Sequence, residues 1–380
     1  MAKYWESEKV FLDGDLYFDH LLSDIERARE LITVEIYIFN YDHIGKKVAS
    51  HLIDAHKRGV KVQIIVDGIG TYGYFDQLDK VFSAAGLKVK IFHPLPFFHP
   101  YYGNLIFSKK IRAFFTRIGK LNQRNHRKII TIDHNIMYLG SFNFTEEHTS
   151  FHTSIKWKDM GVKVTGPNVK LPILYFKKIW QLREFFRYRK LVKAPRMKEA
   201  KNAPLRLNHS LMMRRFYYKN LHQRIYTAKD KIWLMTPYFI PTRRLIIALS
   251  KAAKRGVDVR ILISSKTDIG IFQKLQFFYY AFLINKGVKI FQYVETVLHA
   301  KITIIDDWVT VGTSNLNHRS ILHDLEVDLS IEDAENKKII MNDFLMSSPP
   351  EQQFTAERLK KRTLLDRLLS RIFFLFKYWF

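Results

Sequence analysis

The 380-residue chain has no cysteine, which excludes disulfides, thiolate metal sites and a thiol nucleophile. It also lacks any uninterrupted apolar run of the about 18 residues that a membrane-spanning helix needs. Its first ten residues, MAKYWESEKV, have no apolar stretch of the secretory type, so neither a leader nor a spanning helix is expected. Acid is scarce: 36 Asp and Glu stand against 62 Lys and Arg, a net charge of +26. Such an excess calls for an anionic partner, whether nucleic acid, an acidic membrane surface or a phosphorylated substrate. An apolar content of 47% argues for a well-filled core and against a disordered chain. The length suffices for two domain-sized halves.

What is present is a duplication. HRKIITID (126–133) and HAKITIID (299–306) both read H-x-K-x-x-x-x-D, 173 residues apart. Their surroundings match in order. ITVEIYIF (32–39) answers IWLMTPYF (232–239), and KRGVKVQIIVDG (57–68) answers KRGVDVRILISS (254–265). In the latter pair a helix end and a turning glycine, Gly59 or Gly256, lead into a buried β-branched strand. AAGLKVKIF (84–92) answers INKGVKIF (284–291), and MGVKV (160–164) answers LEVDL (325–329). Alternating helices and strands predict an α/β fold of two pseudo-twofold-related lobes, each a mainly parallel sheet flanked by helices.

The halves differ in one interval. Gly86 to His126 spans 40 residues and Gly287 to His299 spans 12, so the first half carries about 28 more. This insertion, 96–123, holds Phe97, Phe98, Tyr101, Tyr102, Phe114 and Phe115 with five Lys and Arg and no acid. Basic and aromatic residues together suit an anionic bilayer, a single-stranded nucleic acid, or a packed subdomain with a solvated face. The C-terminal LLDRLLSRIFFLFKYWF sets Leu364, Leu365, Leu368, Leu369, Ile372, Phe373 and Phe376 on one helical face and ends in Tyr378, Trp379 and Phe380. It reads as a helix lying in a membrane interface, or as a terminal helix packed on the core. The expected organisation is a first lobe over 1–176, a basic linker over 177–220, a second lobe over 221–345 and an interfacial segment over 346–380, with Phe373, Phe376 and Trp379 as membrane contacts.

In an extended segment, residues two apart share a face. His126 and Lys128 therefore point together, as do His299 and Lys301. The candidate catalytic set is the two motifs, His126, Lys128 and Asp133 with His299, Lys301 and Asp306. Parity puts the two aspartates on the opposite face, where they read as structural. GSFN (140–143) and GTSN (312–315) follow, offering the hydroxyls of Ser141 and Thr313 and the amides of Asn143 and Asn315 for phosphate binding. Asp159 and Glu326 stand at the last strand of each half, placed to orient a histidine. Two His, two Lys and two Asn at one centre suit phosphodiester chemistry. One imidazole attacks phosphorus, and the other passes a proton to the leaving alkoxide. No carboxylate or thiol cluster suggests a metal, and neither metal nor other cofactor is expected.

The duplicated H-x-K-x-x-x-x-D with G-[ST]-x-N resembles the phospholipase D superfamily and, within it, the bacterial cardiolipin synthases, over about residues 5–335. The resemblance rests also on EIYIF, KRGVKVQIIVDGIG, KDMGVKVTGP, TPYFIP and LHAKITIIDD. It implies a bilobal fold with one shared active site and metal-independent phosphatidyl transfer. His126 would be the nucleophile and His299 the acid/base. Lys128, Lys301, Asn143 and Asn315 would bind phosphate, and Asp159 and Glu326 would orient the histidines. Thr313 stands where serine is common, and Asp159 is shorter than the Glu of many members. The implied reaction joins two phosphatidylglycerol molecules with release of glycerol. The rivals are another donor or acceptor, such as phosphatidylethanolamine or water, and a nuclease of the same superfamily. The expected partners are an anionic phospholipid membrane and phosphatidylglycerol, with no obligatory nucleic acid. The expected location is peripheral, on the cytoplasmic side of a bacterial inner membrane.

Overall fold

A computed structural model describes residues 3–95, 123–151, 156–181, 203–266, 270–355 and 357. The inserted segment and its membrane-contact residues Phe97, Phe98, Tyr101, Tyr102, Phe114 and Phe115 lie outside the described residues. So do Phe373, Phe376 and Trp379 of the C-terminal segment.

The first lobe runs β1 (Ser7–Phe11), α1 (Gly14–Arg27), β2 (Leu31–Ile36), α2 (His43–Lys57), β3 (Lys61–Asp67), α3 (Phe75–Ala84), β4 (Val89–Phe92), β5 (Ile129–Ile132), β6 (Ile136–Gly140), β7 (Gly161–Thr165) and α4 (Lys170–Gln181). The second runs β8 (Leu205–Leu207), α5 (Leu211–Thr227), β9 (Lys231–Met235), α6 (Arg243–Lys254), β10 (Asp258–Ser264), α7 (Gly270–Ile284), β11 (Lys289–Tyr293), β12 (Ile302–Ile305), β13 (Trp308–Gly312), α8 (His318–Leu322), β14 (Val327–Ser330) and α9 (Ala334–Met346).

Local chemistry sets these boundaries. Side chains of Asp13, Asp42, Thr242 and Asp333 accept the backbone N–H three residues on and so start α1, α2, α6 and α9. Gly59 and Gly256, at φ 93 and 92, close α2 and α6 in the left-handed region and turn the chain into β3 and β10. β2 is buried at all six positions, and β3 at all but its first, as suits inner strands covered on both faces.

Each lobe forms a seven-stranded sheet, in the orders β1-β7-β6-β5-β2-β3-β4 and β8-β14-β13-β12-β9-β10-β11. The two orders correspond strand for strand. The sheets are mixed, whereas a mainly parallel arrangement was expected. Only β2-β3-β4 and β9-β10-β11 run parallel. The remaining pairs are antiparallel. The physical reason is the connection: β5-β6 and β12-β13 are joined by tight turns rather than helical crossovers. Residues 177–220 were expected as a linker, yet they include the end of α4, all of β8 and the start of α5. β8 pairs with β14, so the second lobe begins by Leu205. The segment expected over 346–380 likewise starts within that lobe, because Phe354 is buried in its core and donates its N–H to Ile290 O.

The sheets face each other across one apolar core. Ile129, Leu139, Val162 and Val164 of the first meet Met235, Ile302, Val311 and Val327 of the second. Each such side chain contributes roughly 1.5–3 kcal/mol on burial, so the lobes are held as one body. That packing fixes the ends of β5, β7, β12 and β14 against each other.

Candidate active site

The two histidines precede their strands. β5 begins at Ile129 and β12 at Ile302, so His126 and His299 sit on extended lead-ins. Each lead-in pairs with the other lobe. His126 donates its N–H to Leu325 O at 2.9 Å, and Leu325 donates to Arg124 O at 2.9 Å. On the opposite side, His299 N donates to Lys158 O at 2.8 Å and Lys158 N to Val297 O at 2.9 Å. These two short ladders carry each acid across the lobe boundary. His126 Nδ1 lies 3.0 Å from Glu326 Oε2, and His299 Nδ1 lies 2.8 Å from Asp159 Oδ2.

Both rings open on one cleft, lined also by Tyr37, Asn143, Trp157 and Asn315. The Tyr37 ring is 4.9 Å from that of His126, and the Trp157 ring 5.6 Å from that of His299. Lys128 and Lys301 are buried behind them. Lys128 Nζ donates to His126 O at 2.9 Å and Lys301 Nζ to His299 O at 2.5 Å. Asn143 Oδ1 accepts the N–H of Ile38 at 3.2 Å, which holds the amide at the cleft.

Two groups of predicted residues stand elsewhere. Asp133, included with the catalytic set, sits at φ 48 in the turn after β5 and accepts the N–H groups of Arg29, Glu30 and Leu31 at 2.8–3.1 Å. Asp306, at φ 52, does the same for Lys229, Asp230 and Lys231 at 2.9–3.1 Å. Both tie a hairpin to the start of a neighbouring strand, at the end of β5 and β12 opposite to the histidines. Ser141 and Thr313, expected to bind phosphate, are wholly buried. Ser141 donates to Asp159, and Thr313 donates to Glu326 Oε2 at 2.5 Å. Their hydroxyls hold the acids, because the strand pairing turns them inward.

The sequence did not point to His148 and Ser320, which break the symmetry. Each lies five residues beyond its Asn. Asn143 N donates to His148 Nε2 at 3.1 Å, leaving the proton on Nδ1, which lies 2.8 Å from Asp159 Oδ2. In the second lobe, Asn315 N donates to Ser320 Oγ at 3.2 Å, and Ser320 donates to Glu326 Oε1 at 2.6 Å. A short acid with a long partner thus answers a long acid with a short partner. The matching spacing from the GSFN and GTSN turns was the available signal. Among the described residues, the ligand atoms of His148, Asp159 and His299 lie within 4.8 Å of one another and form a group able to hold a metal.

The two carboxylates differ in charge. Burial alone would raise Asp159, but the adjoining His299 and His148 outweigh it and hold it well below the carboxylate range. Burial pushes Glu326 up to about 7 against the charge of Lys128. Burial, then Lys128 and Lys301, press His126 well below its ordinary value. Burial takes His299 down to about 3 against the pull of Asp159.

Glu326 makes a stability prediction. Its folded proton is held to about pH 7, whereas the unfolded side chain loses it near 4.5. The folded state binds more protons across that window, so this residue's contribution falls as pH rises from 4.5 to 7. Glu326→Gln removes the titration. Its melting temperature should rise relative to the native chain between pH 5 and 8. A difference that stays flat or falls would show that the buried glutamate is ionised throughout.

Two matching sheets with crossed His–acid pairs around one cleft define a two-lobed enzyme of the phospholipase D class, a phosphatidyltransferase. Residues 21–180 and 221–346 match the family described as cardiolipin synthase, PLD-like domain. The cardiolipin synthase of Clostridium perfringens (strain SM101 / Type A) is 30% identical over 373 residues, covering 94% of this chain and 74% of the relative. Cardiolipin synthase B of Escherichia coli (strain K12) is 29% identical over 378 residues, 94% of this chain and 85% of the relative. The phosphatidylserine synthase of Haemophilus influenzae Rd KW20 shares the fold at a TM-score of 0.69 and 12% identity, over 100% of this chain and 97% of that one. The chain belongs to the PLD-like cardiolipin synthase family. Among the described residues, no helix is long and apolar enough to cross a membrane.

Proposed function

We propose that the protein is a cardiolipin synthase using His126 as nucleophile and His299 as acid and base. The observation that carries this reading is that both rings line one cleft, each fixed through Nδ1 by an acid of the opposite lobe. That leaves each Nε2 facing the space where a single phosphorus would sit.

A phosphatidylglycerol enters with its phosphate against the Asn143 and Asn315 amides, and Lys128 and Lys301 offset its charge. That anion also counters the charges that, after burial, press the rings toward the neutral form, Lys128 and Lys301 at His126 and Lys301 at His299. His299, beside the ionised Asp159, is then the ring better able to carry a proton. His126, beside a glutamate that ionises only near neutrality, stays a neutral nucleophile. Its Nε2 attacks phosphorus, and the bond to the glycerol oxygen breaks. His299 gives its proton to that oxygen, and glycerol leaves. A glycerol hydroxyl of a second phosphatidylglycerol then attacks the phosphohistidine. Its proton passes to His299, the P–N bond breaks, and cardiolipin leaves with His126 restored. The likeness to the cardiolipin synthases of Clostridium perfringens and Escherichia coli supports cardiolipin as the product.

The purified protein with phosphatidylglycerol vesicles should yield cardiolipin and glycerol in equal amounts by mass spectrometry. Phosphatidic acid as the sole product would make it a hydrolase. A requirement for phosphatidylethanolamine would change the donor or acceptor.

The charge of +26 and the aromatic C-terminal segment support peripheral binding to an anionic bilayer. Deleting 364–380 should weaken cosedimentation with phosphatidylglycerol vesicles several-fold, and more at low salt than at high. Unchanged binding would make the segment a packing element.

A further inference from the structure

The two covering helices reveal a second asymmetry. In the first lobe, α1 lays Tyr17, Phe18, Leu21 and Ile25 over Tyr138 and Phe142. Gly161 is required there, because a side chain would meet the Tyr17 and Phe142 rings at 2.7–2.9 Å. The strand pairing fixes the counterparts. Gly140 faces Gly161 in one sheet, and Gly312 faces Asp328 in the other. The second lobe therefore has Thr310 for Tyr138, Ser314 for Phe142 and Asp328 for Gly161. Its helix α5 keeps Tyr217, Tyr218, Leu221 and Ile225 at the positions of Tyr17, Phe18, Leu21 and Ile25, but presents Arg214, Asn220 and Arg224 where α1 has Gly14, His20 and Asp24. In place of the Tyr138 and Phe142 rings the second lobe has an open pocket whose walls include Arg206, Asn208, Arg214, Thr303, Ser314 and Asp328.

The charge in this cavity is unusual. Arg206 is buried, with its guanidinium 4.3 Å from the Trp308 ring centre, and Arg224 stands 4.4 Å from the same ring. Both donate to one oxygen, Asn220 Oδ1, at 3.2 and 3.1 Å. Neither lies within ion-pairing distance of a carboxylate among the described residues, and Asp328, cross-strand from Arg206, offsets only part of its charge. Asp328 is engaged by Ser314 through its N–H at 3.2 Å and its hydroxyl at 2.6 Å. In the first lobe the basic residue on the equivalent face, Lys163, is paired with Asp24. A buried guanidinium such as that of Arg206, its charge only partly offset, is costly unless an anion completes it, and its fork suits phosphate oxygens.

The cavity adjoins the catalytic cleft. Asn315 and Ser320 line both spaces, and Lys301 and Glu326 form part of the cavity wall. Asn315 Oδ1, on the shared wall, is buried without a hydrogen-bond partner, an acceptor suited to an alcohol O–H.

We propose that this cavity is a second phosphate subsite that seats the glycerophosphate group of the acceptor beside the phosphohistidine. On the transfer reading above, the acceptor's own phosphate is one glycerol bridge from the reacting one. Arg206 and Arg214 hold that phosphate, and Asn315 Oδ1 accepts from the other free hydroxyl of the acceptor's glycerol, leaving the attacking O–H to His299. The subsite selects an alcohol bearing a phosphate over water or free glycerol. Without it, both phosphates of the product would crowd one cleft.

The test uses the full chain with phosphatidyl-p-nitrophenol as donor and phosphatidylglycerol or glycerol as competing acceptor. Arg206→Gln should lower the phosphatidylglycerol-over-glycerol ratio of kcat/KM about tenfold, the cost of one charge-assisted phosphate contact. Arg206→Lys should restore part of it. Thr303→Asp, which leaves both arginines in place but puts an acid on the wall, should lower the ratio as well. An unchanged ratio in folded Arg206→Gln and Thr303→Asp, checked by thermal melting, overturns the proposal. Soluble glycerol 3-phosphate separates a lipid headgroup from a free phosphate. Calorimetry should show its binding to His126→Ala and its loss when Arg206→Gln is added, and equal binding in both overturns the subsite. Should the native protein release nitrophenol yet transfer to neither alcohol, the synthase reading falls, while this binding measurement still decides the subsite.

Discussion

His126→Ala should remove turnover by about four orders of magnitude or more, since the covalent route loses the ring that attacks phosphorus. His299→Ala should do the same with phosphatidylglycerol, whose glycerol alkoxide cannot leave without a proton. A donor with a good leaving group separates the roles. With phosphatidyl-p-nitrophenol, His299→Ala should still release one equivalent of nitrophenolate and then stall, because departure needs no acid but attack by the second alcohol needs a base. The stalled protein should carry an acid-labile, base-stable phosphoryl group on His126. His126→Ala should give no burst. A burst in His126→Ala and none in His299→Ala would exchange the roles. Appreciable turnover of phosphatidylglycerol by either variant would end the two-histidine mechanism. Both variants should melt near the native temperature, because each ring makes only a few polar contacts at the edge of the interlobe core.

Much of this centre was readable beforehand, for a physical reason. A duplicated motif reports position through symmetry: two H-x-K segments at equivalent points of matching lobes must meet if the lobes face each other. Gly59 and Gly256 marked the helix ends correctly because only a residue tolerant of positive φ turns the chain there. Asp133 and Asp306 were read as structural residues of the turn after each strand, and there three backbone N–H groups hold each of them. Three things were not readable. The parallel share of the sheets was overestimated because buried β-branched strands look alike whichever way they run. β8 was missed because three residues, LRL, carry too little pattern, and its pairing with β14 is a long-range event. The hydroxyls of Ser141 and Thr313 were assigned to substrate because a sequence does not show which way a turn faces. Burial points them at Asp159 and Glu326 instead.

Asp159→Asn should be the most damaging substitution away from the two histidines, lowering kcat about a thousandfold with KM changed little. The comparison is with removing the carboxylate that orients a catalytic imidazole, where the ring remains but its tautomer is wrong. Asp159 Oδ2 lies 2.8 Å from Nδ1 of both His299 and His148. An amide there cannot accept from both rings with a negative charge, and His299 loses the group that supports its protonated form. Glu326→Gln should be milder, by about tenfold or more in kcat. Its carboxyl, pushed up to about 7, is already close to neutral, and a neutral amide oxygen can still accept from His126 Nδ1. The distinction follows from His148 against Ser320: a second imidazole keeps Asp159 ionised, whereas a hydroxyl leaves Glu326 to burial. His148→Ser should therefore move toward the behaviour of the second lobe. The pH at which kcat falls on the alkaline side, where His299 loses its proton in the complex, should shift, with less change in KM. Equal losses in Asp159→Asn and Glu326→Gln, together with an unmoved pH profile in His148→Ser, would mean that the two lobes orient their histidines without distinguishing the acid from the nucleophile.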